Sequence, residues 1–155
     1  MRASCSQLNS LTIGLFALKI IVVEDDRALC DLVRGVLVSQ GYSVECAEDG
    51  EQALQLIRQE TPLLIISDVR MPRMNGDRLF ARVKEMGPEY GTIPFIFITG
   101  EDDESRRIRR INNGADGHIS KPFTFDLLSA HVNGCLSNLK RREMLLKKNS
   151  VTNSN

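Results

Sequence analysis

The chain has 155 residues, 42% hydrophobic and 26% charged, the make-up of one globular domain, which excludes wholesale disorder and a membrane protein. Its 20 Lys and Arg balance 20 Asp and Glu, so no global basic field selects nucleic acid, and 5% aromatics without tryptophan argue against stacking platforms for single strands. The 4 cysteines, Cys5, Cys30, Cys46 and Cys135, form no Cys-x-x-Cys pair, so reduced thiols in a cytoplasmic protein are expected, not a zinc site or a disulfide framework.

Residues 1–17 read as an N-terminal extension expected to be poorly ordered. The apolar run Leu11 to Val23 is too short to span a bilayer, and no small-x-small cleavage site follows it. From Lys19 onward, apolar runs alternate with helical patterns. Ile20 to Val23 is a β-branched run without polar alternation, as a strand buried on both faces requires. Ala28, Leu29, Leu32, Val33, Val36 and Leu37 follow the helical period until Gln40-Gly41 stops them. Ser43 to Ala47 predicts a weaker second strand, Gln52 to Gln59 a second helix, and Leu63 to Ser67 the most apolar strand. The loop Met71-Pro72-Arg73-Met74-Asn75-Gly76 leads into a helix from Asp77 to Met86. Phe95 to Thr99 is a fourth strand, Asp103 to Asn113 a fourth helix, and Gly117 to Ser120 a short fifth strand before Lys121-Pro122. A fifth helix starts near Thr124 and runs as far as Lys148, burying Leu128, Val132, Cys135, Leu136 and Leu139, and Ser150 to Asn155 form a disordered tail. The alternation predicts an α/β fold: an open, doubly wound parallel sheet of five strands with five helices, binding ligands outside the carboxyl ends of its strands.

Those ends carry Glu24-Asp25-Asp26, Asp68, Thr99 and Lys121. Singly each has an ordinary explanation: Asp25 or Asp26 as a helix N-cap, Asp68 and Thr99 as turn residues, Lys121 as a solvated charge. Together they crowd one rim, where carboxylates repel unless a cation compensates. Mg²⁺ prefers oxygen ligands and is held by one or two carboxylates plus a phosphate. A carboxylate so placed can also act as a nucleophile and form an aspartyl-phosphate, with Lys121 and Thr99 stabilising the transferred group.

These residues resemble the receiver domains of two-component response regulators. Val22-Val23-Glu24-Asp25-Asp26 is similar to the family's acidic motif after strand one. Ser67-Asp68-Val69-Arg70-Met71-Pro72, followed by Met74-Asn75-Gly76, is similar to its phosphorylation loop, and Thr99-Gly100 and Lys121-Pro122-Phe123 to its remaining signatures. The resemblance implies a flavodoxin-like sheet of order 2-1-3-4-5, the order of chemotaxis receivers, over a receiver domain at 18–140 followed by a basic helix end and tail at 141–155. It makes Asp68 the phosphoacceptor, with Thr99 and Lys121 on the phosphoryl oxygens. Glu24, Asp25, Asp68 and the Arg70 backbone carbonyl would hold Mg²⁺, for which Mn²⁺ can substitute. His118 takes the position of an aromatic rotamer switch, and the Lys121-Pro122 bond is expected to be cis. Glu24 is longer than the usual Asp and would reach the metal directly or through water. Gly100 replaces a common Ala, and His118 is smaller than Tyr and titratable.

The resemblance further implies a regulatory module and not a turnover enzyme. The donor would be a histidine kinase or histidine phosphotransfer protein. Output would pass to a protein target through the fourth helix, fifth strand and fifth helix, with no membrane or direct nucleic-acid contact, as a monomer or phosphorylation-dependent dimer. An Asp-nucleophile phosphatase would need a second acid where Arg70 stands, and a nucleotide or flavin module would need a Gly-rich loop after strand one. A degenerate scaffold would lack some of the phosphorylation residues. Arg70 and Glu101, two residues beyond Asp68 and Thr99, are expected to pair across the site and slow hydrolysis of the aspartyl-phosphate. The fourth helix, anchored only by Ile108 and Ile111, is expected to offer Arg107 and Arg110 as a mobile basic surface to an acidic partner.

Overall fold

A computed structural model describes residues 18–100 and 103–152. The predicted extension, Glu101 and the end of the predicted tail lie outside the described residues. The elements run β1 Lys19–Val23, α1 Arg27–Ser39, β2 Ser43–Ala47, α2 Gly50–Gln59, β3 Leu64–Asp68 and α3 Gly76–Glu85, then α4 Pro88–Gly91, β4 Phe95–Thr99, α5 Glu104–Asn112, β5 Gly117–Ser120 and α6 Phe125–Thr152. The strands pair in parallel in the order β2-β1-β3-β4-β5, as expected.

The three inner strands are buried on both faces because helices cover each side, which is why their sequences lack polar alternation. On one face Ile21, Val23, Ile65, Phe95 and Phe97 pack against Ala53, Leu54 and Ile57 of α2 and Leu79, Phe80 and Val83 of α3. On the other, Ile20, Val22, Leu64, Ile66, Ile96 and Ile98 pack against Val33 and Leu37 of α1 and Leu128 and Val132 of α6. Short acidic or amide side chains start the helices: Asp26, Asp49, Asn75 and Asp103 cap α1, α2, α3 and α5, each accepting from the backbone N–H three residues on.

The structure departs from the sequence reading in several places. The one-turn helix α4 is additional: Pro88 starts it and Gly87, at φ 142°, turns the chain into it. α6 continues through Ser150 and Val151 to Thr152, past the predicted end at Lys148. Cys30 and Cys46 are joined in a disulfide across α1 and β2, 6.5 Å apart at Cα, so the expectation of reduced thiols is corrected for this pair. The β1–β2 crossover brings a helix residue and a strand residue 16 positions apart face to face, which no Cys spacing motif announces. Cys135 is a free, buried thiol, pushed up to about 11 by burial and by Asp116.

α5 departs most. Ile108 and Ile111, its expected anchors, are 50% and 51% exposed, and the buried residue of this helix is Arg110, at 4%. The Arg110 guanidinium forks onto Asp77 of α3, Nε–Oδ1 2.6 Å and Nη2–Oδ2 2.9 Å, and lies 5.2 Å over the Phe97 ring. An ion pair and a cation–π contact fix the helix phase, and the apolar period is overridden. Arg110 is therefore not a free basic residue, whereas Arg107 is exposed.

Candidate functional site: an acidic rim at the strand ends

The strand order places β3 between β1 and β4, and its last residue, Asp68, lies at the centre of the carboxyl-end rim. Glu24 and Asp25 leave β1 on one side, and Thr99 closes β4 on the other. One carboxylate oxygen each from Glu24, Asp25 and Asp68 lie within 4.8 Å of one another. Glu24 and Asp68 are buried, at 6% and 8% exposure, while Asp25 faces solvent. Asp26 is used as the cap of α1, so the acidic run divides its labour: one residue starts the helix and two join the rim.

Lys121 bridges the buried pair, its Nζ 2.8 Å from Glu24 and 3.0 Å from Asp68. Burial, with Asp68 nearby, pushes the Glu24 carboxyl above the ordinary range, against the pull of Lys121 and of the Asp26 N–H. Burial opposes the Lys121 charge too, but Glu24 and Asp68 outweigh it and hold the ammonium above its ordinary value. The donor set is hard oxygen, three carboxylates close enough to share one ion, and it fits a divalent ion such as Mg²⁺.

The backbone around Asp68 is tightly constrained. Its Oδ1 accepts from the Val69 N–H at 2.6 Å, and the buried Ser67 hydroxyl donates to its carbonyl at 2.8 Å. A Cβ at Gly76 would stand 2.1 Å from that same carbonyl, so only glycine lets α3 start so close to β3. The loop between them is tied to α2 from outside. Asp49, 2% exposed, caps α2 through Gln52 and pairs with Arg73, while the Gly50 N–H donates to the Met74 carbonyl at 3.0 Å. Arg73 adopts φ 62°, a left-handed turn its ion pair helps to hold.

A cavity of about 620 Å³ opens above Asp68, lined by Asp68, Arg70, Thr99, Asp103, Arg106 and Lys121. Thr99 is 1% exposed, its position set by β4 on one side and by the Lys121 N–H to Thr99 carbonyl bond on the other. The sequence reading missed Asp103, Arg106 and the Asp49–Arg73 clamp. The first two had a signal: an N-cap Asp and an Arg three residues on, at the start of the helix that follows Thr99, face the strand-end rim. His118 stands apart from the cavity on β5. It is half-buried, with neither ring nitrogen meeting a hydrogen-bond partner among the described residues. Burial, together with Arg107 and Arg110 of α5 and His131 of α6, holds its imidazole below the ordinary value. The Lys121-Pro122 bond is cis, as expected. No described helix is long and apolar enough to cross a membrane.

A family model described as the response regulator receiver domain matches residues 20–133. The chain is 36% identical over 118 residues to the response regulator MprA of Mycolicibacterium vanbaalenii, covering 76% of this chain and 50% of that protein. It is 35% identical over 124 residues to the MprA of Mycobacterium bovis, covering 80% and 53%. The chain thus spans about half the length of the curated relatives it matches. Among solved structures, the signal receiver domain of a signal transduction histidine kinase from Syntrophus aciditrophicus is 36% identical with a TM-score of 0.73, covering 81% of this chain and 94% of that one. A response regulator receiver domain protein from Methanospirillum hungatei is 29% identical with a TM-score of 0.70, covering 79% and 97%. Strand order, the acidic rim with its bridging lysine, and these likenesses agree, and the chain belongs to the response regulator receiver domains, the phosphorylation-controlled modules of two-component signalling.

Proposed function

We propose that Asp68 accepts a phosphoryl group from a histidine kinase or histidine phosphotransfer protein in the cytoplasm, and that the aspartyl-phosphate controls binding to other proteins. One observation carries this reading: a buried carboxylate at the end of the central strand, held at 3.0 Å by Lys121 and flanked by two further acids. In the transfer, an Asp68 oxygen bonds to phosphorus as the phosphorus–nitrogen bond of the phosphohistidine breaks, and the imidazole leaves and takes up a proton. Lys121 and the Thr99 hydroxyl meet the phosphoryl oxygens, where charge accumulates. Glu24, Asp25, Asp68 and the Arg70 carbonyl would hold Mg²⁺ or Mn²⁺, which when bound neutralises phosphoryl charge as a Lewis acid.

The chain acts as an acceptor that catalyses only its own phosphorylation and dephosphorylation. Its output face is α5, β5 and α6, with His118 as the switch between them, in a monomer or a phosphorylation-dependent dimer. The receiver domain occupies 18–140, with the basic helix end and tail at 141–155 as its flank. Arg70, on the wall of the cavity, and Glu101 obstruct the water that would hydrolyse the acyl phosphate.

The test is phosphoryl uptake from acetyl phosphate with Mg²⁺. Asp68→Ala abolishes labelling and Asp25→Ala impairs it, whereas full-rate labelling of Asp68→Ala overturns the assignment. After donor removal, Arg70→Ala and Glu101→Ala each shorten the phosphoryl half-life, and the double variant adds little because either change opens the same gap. Lengthened or additively shortened half-lives would mean the two side chains do not obstruct the water together.

A further inference from the structure

Between α3 and α5 lies a groove of about 490 Å³, separate from the acceptor cavity. Its walls carry Lys84 from α3 and Arg106, Arg109 and Arg110 from α5, against one carboxylate, Asp77. Arg110 and Asp77 satisfy each other through their two-bond fork, and Arg106 pairs at 3.3 Å with its own cap, Asp103. Lys84 and Arg109 are exposed and have no ion pair among the described residues. The groove is therefore a concave site with a surplus of positive charge inside a chain whose net charge is zero.

Phe80 underlies it, and the surroundings of that ring decide what the groove suits. Lys84 Nζ lies 4.8 Å over the ring centroid, and Phe95 and Phe97 contact it edge-on at 4.9 and 5.5 Å. The ring already carries its cation and its aromatic neighbours, which disfavours stacking of a nucleobase against it. The volume takes a few side chains and no duplex, and the Asp77 carboxylate breaks the continuous positive track that a phosphate backbone follows. Carboxylates on a short peptide, spaced by an apolar side chain, match separated cations above an apolar floor.

We propose that the α3–α5 groove docks an acidic segment of a partner protein, with Lys84 and Arg109 as the residues that recognise its carboxylates. The site lies on the side of α5 facing α3, distinct from the α5, β5 and α6 face, and it does not depend on Asp68 being phosphorylated. It transfers the acidic-partner role from Arg107 and Arg110 to Lys84 and Arg109, because Arg110 is committed to Asp77.

The experiment titrates the full chain with a fluorescein-labelled peptide of alternating glutamate and leucine, reading anisotropy and amide shifts in the ¹⁵N-labelled protein. Saturable binding is expected, with shifts concentrated on α3 and α5 and affinity falling as salt rises. The double reversal Lys84→Glu with Arg109→Glu weakens it about tenfold or more. Reversal at Lys140 and Arg141 in the exposed end of α6 leaves it unchanged, and so does Asp68→Ala, which separates this site from the acceptor reading. Both groove residues are exposed, and an unchanged melting curve for the double variant shows that the fold is intact. Absence of binding, equal loss on reversing α6, or displacement of the peptide by a short oligonucleotide at lower concentration each overturns the proposal.

Discussion

Gly76 and His118 show how much one position determines here. Any side chain at Gly76 drives its Cβ to 2.1 Å from the Asp68 carbonyl, so Gly76→Ala must move either α3 or the acceptor strand. Overpacking of this kind costs about 1–3 kcal/mol, and urea denaturation should find a loss in that range together with slower labelling of Asp68. His118 makes the opposite point, since its effect depends on pH. Burial and the neighbouring cations lower its pKa in the folded state, so the unfolded chain binds more protons as pH falls through about 6.5. Stability should therefore fall as pH is lowered through that value and level off below the folded pKa. In His118→Phe this part of the pH dependence should vanish, and parallel unfolding curves for the two proteins between neutral and mildly acidic pH would count against it. Asp68, Thr99 and Lys121 were legible in the sequence because each closes or follows an apolar run. Asp49 and Arg73 were not, because 24 residues separate the partners of that ion pair.

Among the elements, α5 is held differently from α2 and α3, which bury aliphatic and aromatic side chains. Its one buried residue is an arginine whose partner, Asp77, lies 33 positions earlier and is 45% exposed. Arg110→Ala removes the fork and the cation over Phe97 and leaves Asp77 to solvent. The expected cost is about 1–3 kcal/mol, less than the ~3–5 kcal/mol of breaking a wholly buried pair, and native-state hydrogen exchange should find it concentrated in α5. Uniform loss of protection across the sheet would instead make Arg110 a general core residue. Both interhelical walls of the groove begin just downstream of the strands that end in Asp68 and Thr99, so the groove and the acceptor cavity share a frame. Arg106 lines both.

Across the whole molecule, stability rests on the inner strands. Phe97 is fully buried, contacts Phe80 and Phe95, and lies beneath Arg110, so it joins β4 to α3 and α5. Phe97→Ala should cost about 3–5 kcal/mol of a total near 5–15 kcal/mol, and thermal unfolding should show a much lower midpoint or no transition. A midpoint within a few degrees of the parent would mean the aromatic cluster is peripheral. The apolar runs of β1, β3 and β4 announced a parallel sheet by themselves, because a strand covered on both faces has no alternating polar side, and the buried polar residues it does carry, Lys19, Ser67, Asp68 and Thr99, sit toward the strand ends. The acidic and basic groups at the strand ends were equally plain, since each follows directly on such a run. What the sequence did not disclose were the contacts between elements distant in the chain: the disulfide of Cys30 with Cys46, where reduced thiols were expected, the Asp77–Arg110 fork, the Asp49–Arg73 clamp and the cationic groove. Local periodicity records which face of an element is apolar. Only tertiary packing decides which distant charge or thiol that face meets, and in α5 one such charge outweighed the apolar pattern and set the helix's orientation.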